Sequence, residues 1–238
     1  MYKGSINKIL FLDIETVPQQ AQYALLSEST RDLWNTKARY LIRDKEKETP
    51  ENIYDRAGIY AEFGKIICIS CGYITKDGAL KVKSFSGHDE AQLLSDFAQL
   101  LHRHFSTKEH VLCAHNGKEF DFPYLCRRMV IHGIALPDIL DLSGKKPWET
   151  ALLDTMELWR FGDFKSFTSL NLLAHVLNIP SPKDDIDGSM VGHVYWVENN
   201  LERIVRYCQK DVITLAKIFL RLNGSPVFTS VLSDEQTD

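Results

Sequence analysis

The sequence predicts an α/β fold in which helices cover both faces of a mixed central sheet. Residues 8–14 indicate a buried strand, because residues 9–12 are consecutively apolar. The segments "KIICISCGYIT" and "ALKVKSF" are joined by "KDG", which is typical of a hairpin. An amphipathic helix at 89–105 then precedes a short strand at 110–116. This order of strands and helices favours an antiparallel hairpin combined with parallel strands.

The remaining elements are mostly helical. A helix from about 121 to 132 ends at Gly133, another ends before Pro180, and a long helix spans about 200–222. "ALLDTMELWRF" is left unassigned. We expect one domain over 1–225, with a helical insertion at about 19–62 that has too few apolar residues for a core of its own. Residues 226–238 are expected to be a short acidic tail that frays.

Composition limits the function only weakly. The chain has 238 residues, 44% of them hydrophobic, and a net charge of −4, so no overall basic field indicates nucleic acid. A local basic groove remains compatible with that charge. The five cysteines are an odd number without zinc-site spacing and are expected to be reduced core residues. No signal peptide and no apolar run of ~18 residues is found, which predicts a cytoplasmic protein without a membrane partner.

Two acids follow the first apolar strand in "ILFLDIET". Asp13 and Glu15 are two residues apart, so a strand directs both side chains to the same face. They are either a solvated strand end or oxygen ligands for a hard divalent cation. A bound cation would offset the cost of placing two negative charges beside a hydrophobic core. Asp121, in "HNGKEFDFPYL", is by itself best interpreted as a helix N-cap, and the preceding Asn116-Gly117 as a turn.

Asp211 is the most informative acid. On a helix at 200–222 it lies within the apolar stripe, while the basic residues fall on the opposite side. That apolar stripe consists of Ile204, Cys208, Leu215 and Phe219. Tyr207 lies one turn before Asp211 on the same face, so a buried Tyr–Asp hydrogen bond is the alternative to a metal ligand. Four acids converging on one centre would suit two-metal hydrolysis of a phosphodiester.

The segments "FLDIET", "HNGKEFDFPYL" and "YCQKD" resemble, in order, the three exonuclease motifs of the proofreading domain of family B DNA polymerases. The chain looks like a free-standing version of that domain, in the DEDD exonuclease superfamily with its ribonuclease H-like fold. The resemblance implies that Asp13, Glu15, Asp121 and Asp211 hold two Mg²⁺ or Mn²⁺ ions. It implies that Tyr207 orients the attacking water, and that cleavage proceeds from the 3′ end of single-stranded DNA.

The same resemblance implies contacts to the substrate strand. Asn116 and Phe120 match positions that contact the single strand in relatives, and Thr16, which ends "FLDIET", is added to them. Arg206 occupies the position where the other branch of the superfamily has histidine, so the tyrosine branch (DEDDy) applies. Lys183, in the acidic loop "KDDIDGSM", is a further candidate phosphate contact, although this loop fails as a calcium-binding EF-hand.

Several alternatives stay open. A 3′–5′ exoribonuclease of the ribonuclease D type shares the Y-x-x-x-D signature, and a catalytically silent nucleic-acid-binding module would keep the fold. The expected partners include a polymerase with which the protein acts in trans, and the sequence does not determine the oligomeric state. Asp154 could line the cleft but is better explained as a helix cap. Basic residues of the insertion are better explained as a solvated helix face: Arg31, Lys37, Arg39 and Arg43.

Overall fold

The computed structural model describes residues 2–180 and 186–233, which form a six-stranded sheet. The strands are β1 (Ile9–Pro18), β2 (Gly64–Ile74), β3 (Ala79–Ser86), β4 (Val111–Ala114), β5 (Leu152–Asp154) and β6 (Ser230–Ser233). Their spatial order is β5-β4-β1-β2-β3-β6. The β1–β2 and β2–β3 pairs are antiparallel, whereas β1–β4, β4–β5 and β3–β6 are parallel. The predicted mixed sheet, a hairpin plus parallel strands, is confirmed.

Helices cover both faces of this sheet. They are α1 (Glu28–Ala38), α2 (Glu90–His104), α3 (Asp121–Ile131), α4 (Thr155–Arg160), α5 (Leu170–Val176), α6 (Val191–Trp196) and α7 (Leu201–Asn223). One apolar cluster joins the sheet to α2 and α3, and another joins it to α7. The helices α4, α5 and α6 pack against α7. Among the described residues, no helix is both long enough and apolar enough to cross a lipid bilayer.

The central strand β1 has a distinct partner on each face. Leu10 and Leu12 belong to the cluster beneath α2 and α3, whereas Ile9 and Phe11 pack with α7. Because side chains alternate along a strand, the row that begins with Ile9 and Phe11 continues with Asp13 and Glu15. The β1–β2 register shifts between Glu15 and Thr16, a bulge of the kind found beside active sites. The two acids therefore extend the row that faces α7.

The insertion at 19–62 differs from expectation in one respect. It contains α1 and two short 3₁₀ helices, and it does form a small apolar cluster around the fully buried Trp34. Aromatic residues separated in sequence build this cluster, so no helical stripe reveals it. The end of the insertion is tied to α3, because Tyr124 Oη donates a hydrogen bond of 2.8 Å to the Gly58 carbonyl.

The expectation of a frayed tail is wrong for residues 230–233. They form β6, which pairs in parallel with the first half of β3. The Thr229 N–H also donates to the Gly78 carbonyl in the hairpin turn at 2.9 Å. The backbone groups along the outer edge of β3 provide the partners, and such an edge accepts a strand whose own sequence signal is weak.

The segment that the sequence left unassigned combines a strand and a helix. Residues 152–154 form β5, and α4 begins directly after them. Asp154 ends the strand and caps the helix by accepting a hydrogen bond from the Met156 N–H at 2.9 Å. The predicted cap is confirmed. Both β4 and β5 run parallel to β1, so their carboxyl ends meet at the edge of the sheet where Asp13 and Glu15 lie.

Candidate active site

Asp13 and Glu15 present carboxylates from the second half of β1 to the α7 side of the sheet. Glu15 is buried and Asp13 is half-buried. One ligand atom from each of Asp13, Glu15 and Cys208 lies within 4.8 Å of the other two. Burial raises the pKa of Asp13 well above its usual range, and the charges of Asp121 and Asp211 raise it further. Burial and then the charge of Asp13 do the same to the pKa of Glu15.

Asp121 reaches this place from the other side of the sheet. The helix α3 begins at Asp121 and its N-cap is Phe120, so the interpretation of Asp121 as the cap is wrong. Its carboxylate is buried and accepts a hydrogen bond of 3.2 Å from the Ile14 N–H on β1. Burial raises the pKa of Asp121 to about 7. The strand β4 lies parallel to β1 and pairs with Ile9–Phe11. The short connection after β4 therefore places Asp121 next to the following residues of β1, which include Ile14.

Asp211 and Tyr207 complete the group from α7. The predicted apolar stripe is confirmed, since Ile204, Cys208 and Phe219 are fully buried. Burial and the neighbouring charge of Asp211 raise the pKa of the Tyr207 phenol, whose hydroxyl hydrogen-bonds the Asp211 carboxylate. The alternative of a Tyr–Asp hydrogen bond therefore describes a real contact. That contact coexists with the charge of Asp211 acting on both acids of β1.

Cys208 is a site residue that the sequence analysis missed. Its thiol donates to the Asp13 Oδ2 at 3.3 Å and to the Asp13 carbonyl at 3.4 Å. Burial, a hydrogen bond with Cys68 and the nearby carboxylates raise the pKa of the Cys208 thiol well above its usual range. The protonated thiol is a poor metal ligand and acts as a hydrogen-bond donor to Asp13. The sequence could have indicated this role, because Cys208 lies three residues before Asp211 in the same apolar stripe of α7.

Residues 115–120, here called the Asn116 segment, connect β4 to α3. Asp154 holds this segment by accepting hydrogen bonds from the N–H groups of Asn116 at 2.9 Å and Lys118 at 3.1 Å. Asn116 has a positive φ of 61°, a conformation that asparagine tolerates. A Cβ on the next residue, Gly117, would lie 2.3 Å from the Ala114 Cβ, so the tight turn requires glycine. The predicted turn at Asn116-Gly117 is confirmed, and Asp154 positions it.

A cleft of about 580 Å³ opens beside these acids. Glu15, Thr16 and Phe120 line it, so two of the predicted nucleic-acid contacts lie in its wall. The other walls are the insertion, which contributes Ile59, and the region of α6. Asn116 is half-buried at the start of the Asn116 segment. Lys183 lies outside the described residues, so its predicted phosphate contact has no structural account.

Known structures define the class of fold. A family B DNA polymerase from the hyperthermophilic archaeon Pyrobaculum calidifontis matches with a TM-score of 0.51 and 20% sequence identity. The match covers 89% of this chain and 24% of the polymerase chain, so this chain spans about a quarter of its relative's length. The six-stranded mixed sheet with flanking helices is a ribonuclease H-like α/β fold. A comparison with curated proteins gave no significant match.

The family follows from the sequence match. Residues 59–236 match a family described as a predicted 3′–5′ exonuclease related to the exonuclease domain of PolB. The chain belongs to this family. Asp121, Tyr207 and Asp211 lie within the matched range, whereas Asp13 and Glu15 precede it. An exonuclease family implies a nucleic-acid substrate, and the suggested resemblance to polymerase proofreading domains is confirmed.

Proposed function

We propose that this protein is a metal-dependent 3′–5′ exonuclease that removes nucleotides from the 3′ end of single-stranded DNA by a two-metal mechanism. One observation carries the proposal. Asp121 from α3 and Asp211 from α7 lie close enough to act electrostatically on both Asp13 and Glu15 of β1, and Glu15 lines the cleft. A silent binding module has no need for such a costly group, because buried like charges repel each other strongly.

The donor set fits hard divalent cations. Burial and the neighbouring acids raise the pKa values of Asp13 and Glu15, because ionising these carboxylates together without counter-charge is unfavourable. Carboxylate oxygens are the ligands that Mg²⁺ and Mn²⁺ prefer, and the neighbouring Cys208 stays a thiol. Asp13, Glu15, Asp121 and Asp211 would hold two such ions. When bound, the ions would supply Lewis-acid activation of water and stabilise the leaving oxygen of the phosphodiester.

The protein's own side chains would orient the reactants. The Tyr207 hydroxyl, which Asp211 fixes by a hydrogen bond, would direct the attacking water towards the phosphorus. Phe120 lies in the cleft wall and would stack on the terminal base, an interaction worth ~1–3 kcal/mol. Thr16 lines the same cleft and would contact the terminal nucleotide. The Asn116 segment, which Asp154 holds in place, keeps Phe120 and Asp121 next to β1.

The preference for DNA rests on the similarity to a DNA polymerase, and the choice between polymers belongs to experiment. An exoribonuclease of the ribonuclease D type would use the same acids and tyrosine. Action in the cytoplasm, alone or in trans with a polymerase, remains a prediction from the sequence.

The decisive assay uses 5′-labelled single-stranded DNA and RNA with Mg²⁺ or Mn²⁺. We expect a ladder of products shortened one nucleotide at a time, faster on DNA. Asp13→Ala and Asp211→Ala should abolish the ladder, because each leaves the ions with an incomplete ligand set. Glu202→Gln is the matched control, since Glu202 is a well-exposed acid on the same helix that pairs with the exposed Arg206.

Each result has a definite reading. Faster cleavage of RNA would replace the DNA assignment by the exoribonuclease alternative. Internal cleavage, or full activity in Asp13→Ala, would contradict the proposed site. Absence of cleavage of both polymers with either metal, while binding persists, would favour the silent binding module. A metal-dependent rise in melting temperature that Asp13→Ala removes would test ion binding independently of activity.

A further inference from the structure

Three phenylalanines protrude from one short loop. Phe161, Phe164 and Phe167 expose 79%, 83% and 67% of their surface, whereas the other described phenylalanines are buried or half-buried. We call residues 161–168, between α4 and α5, the aromatic loop. Three large apolar rings in one exposed segment form a concentrated patch of the kind that marks an interaction site.

The last residue of the aromatic loop and the residue just before the loop both contact the Asn116 segment. At one end, His115 Nε2 donates a hydrogen bond of 2.8 Å to the carbonyl of Thr168. At the other, the Arg160 guanidinium lies 3.9 Å from the Glu119 carboxylate, one residue before Phe120. The exposed rings therefore stand beside the segment that carries Phe120 into the cleft. Phe120, which lines the cleft, belongs to the same segment that the ends of the aromatic loop contact.

The loop combines aromatic and basic groups in a defined conformation. Arg160 donates to the Ser166 carbonyl at 3.0 Å, and its guanidinium lies 4.8 Å from the centre of the Phe167 ring. Lys165 is exposed next to Phe164. Phe161 has a φ of 45°, which is unusual for a bulky residue. Glycine or asparagine normally occupies such a left-handed position after a helix. Such strain, held by surrounding contacts, is typical of functional segments.

We propose that the aromatic loop is a stacking platform for unpaired bases of the single strand whose 3′ end lies in the cleft. The inference rests on the proposed function for the direction of the strand. Every base has a π face, so exposed rings bind a single strand regardless of sequence, and the exposed Lys165 is placed to attract a phosphate. A double helix offers no free base faces to these rings, so the platform also selects unpaired ends.

Binding without catalysis tests the platform directly. A fluorescent single-stranded DNA of about 20 nucleotides, titrated in EDTA, reports affinity by anisotropy. Phe164→Ala should weaken binding at least about 5-fold, the lower end of the loss when one stacked base is released. Phe164→Tyr should retain the wild-type affinity, because tyrosine also stacks. Phe164 is mostly exposed, so these variants should melt at the wild-type temperature.

The chain offers a matched control at the opposite ends of β4 and β5, where these two strands begin. Trp148 is 77% exposed and has Lys146 Nζ 5.3 Å from its ring centre, so it shares the chemistry of the loop. It precedes β5 and lies near the start of β4, away from the carboxyl ends of these strands. Trp148→Ala should bind like wild type. Equal weakening by Trp148→Ala would overturn the proposal, as would unchanged binding by Phe164→Ala.

Hydrolysis separates this inference from the proposed function. With a metal present, Phe164→Ala should raise KM for the long strand much more than KM for a trinucleotide, which is too short to reach the loop. Wild-type cleavage together with unchanged binding by Phe164→Ala would overturn only the platform. Loss of binding by Phe164→Ala in a protein that cleaves nothing would overturn only the exonuclease. A wild-type dimer that Phe164→Ala dissociates, with DNA binding unaffected, would assign the rings to contact between copies.

Discussion

The Tyr207 hydroxyl hydrogen-bonds the Asp211 carboxylate. Because burial and the nearby carboxylates raise the pKa of this phenol, it stays protonated at neutral pH and serves as a hydrogen-bond donor. We expect Tyr207→Phe to lower the exonuclease rate about 10- to 100-fold while metal binding persists, since all four carboxylates remain. Rates on labelled DNA and metal-induced shifts in melting temperature measure the two effects.

Tyr73→Phe is the control for that substitution, because Tyr73 is a partly exposed tyrosine on β2. It should retain the wild-type rate. A Tyr207→Phe enzyme as fast as wild type would remove the tyrosine from the mechanism.

Gly117 shows how close packing fixes a site residue. A Cβ at this position would lie 2.3 Å from the Ala114 Cβ and 3.2 Å from the Phe122 ring. Gly117→Ala must therefore displace the turn that leads to Asp121. We expect a loss of about 1–3 kcal/mol in the free energy of unfolding, typical of overpacking, together with reduced exonuclease activity. Denaturant unfolding and the labelled-DNA assay provide the measurements.

Gly87→Ala provides the comparison. Gly87 lies between β3 and α2, where a Cβ would approach no atom closer than 3.9 Å. The activity and stability of the Gly87→Ala protein should match those of wild type. A Gly117→Ala protein with wild-type activity and stability would show that close packing does not constrain the turn.

At the scale of elements, a buried ion pair joins α2 to α3. Arg128 donates to both carboxylate oxygens of Glu90, and the side chains are each 5% exposed. The pair also reaches neighbouring backbone, because Glu90 accepts from the Ile66 N–H at 2.7 Å and Arg128 donates to the Ala61 carbonyl at 2.8 Å. It thus connects both helices to the start of β2 and the end of the insertion.

Breaking this pair from one side should be costly. Arg128→Met leaves the Glu90 charge buried without its main partner, so we expect a loss of about 3–5 kcal/mol in the free energy of unfolding. Arg206→Met removes an exposed pair with Glu202 and should change stability by less than about 0.5 kcal/mol. Urea unfolding of the two variants checks the contrast, and similar losses would contradict it.

The elements differ in how well their sequences predict them. The long helix α7 has a clear apolar stripe, and α2 and the β2–β3 hairpin carry equally regular patterns, so all three were predicted. The four residues of β6 have no such pattern, and the edge of β3 decides their conformation. The core of the insertion was missed because Trp34 and Tyr54 approach each other only through the fold, with ring centres 5.7 Å apart.

For the molecule as a whole, the buried carboxylates of the candidate active site make the free energy of unfolding depend on pH and on the binding of divalent cations. Burial raises the pKa of Asp121 to about 7, and those of Asp13 and Glu15 are raised as well. The metal-free folded protein then binds more protons than the unfolded chain, whose carboxyl pKa values are ~4. The contribution of these carboxyl groups to the free energy of unfolding should therefore be greatest at acid pH, and it should fall as pH rises from ~4 through ~7.

Divalent cations should reverse this trend. We expect Mg²⁺ or Mn²⁺ to raise the melting temperature strongly near pH 8 and little near pH 5, where protons compete for the same oxygens. Scanning calorimetry at both pH values, with and without metal, gives the comparison. Asp13→Asn should reduce the metal-induced rise at pH 8, and an equal rise at both pH values would contradict the coupling.

The mixed sheet, the amphipathic helices and the residue types of the site follow from local periodicity and from recognisable motifs, so they could be predicted before the fold was known. Three features emerge only in the folded chain. Asp121 approaches β1 and does not cap its helix, Cys208 donates to Asp13, and the aromatic loop lies beside the Asn116 segment. These features join parts of the chain that are far apart in sequence. Asp13 and Cys208 are separated by 195 residues, and the packing of α7 on β1 brings them into contact.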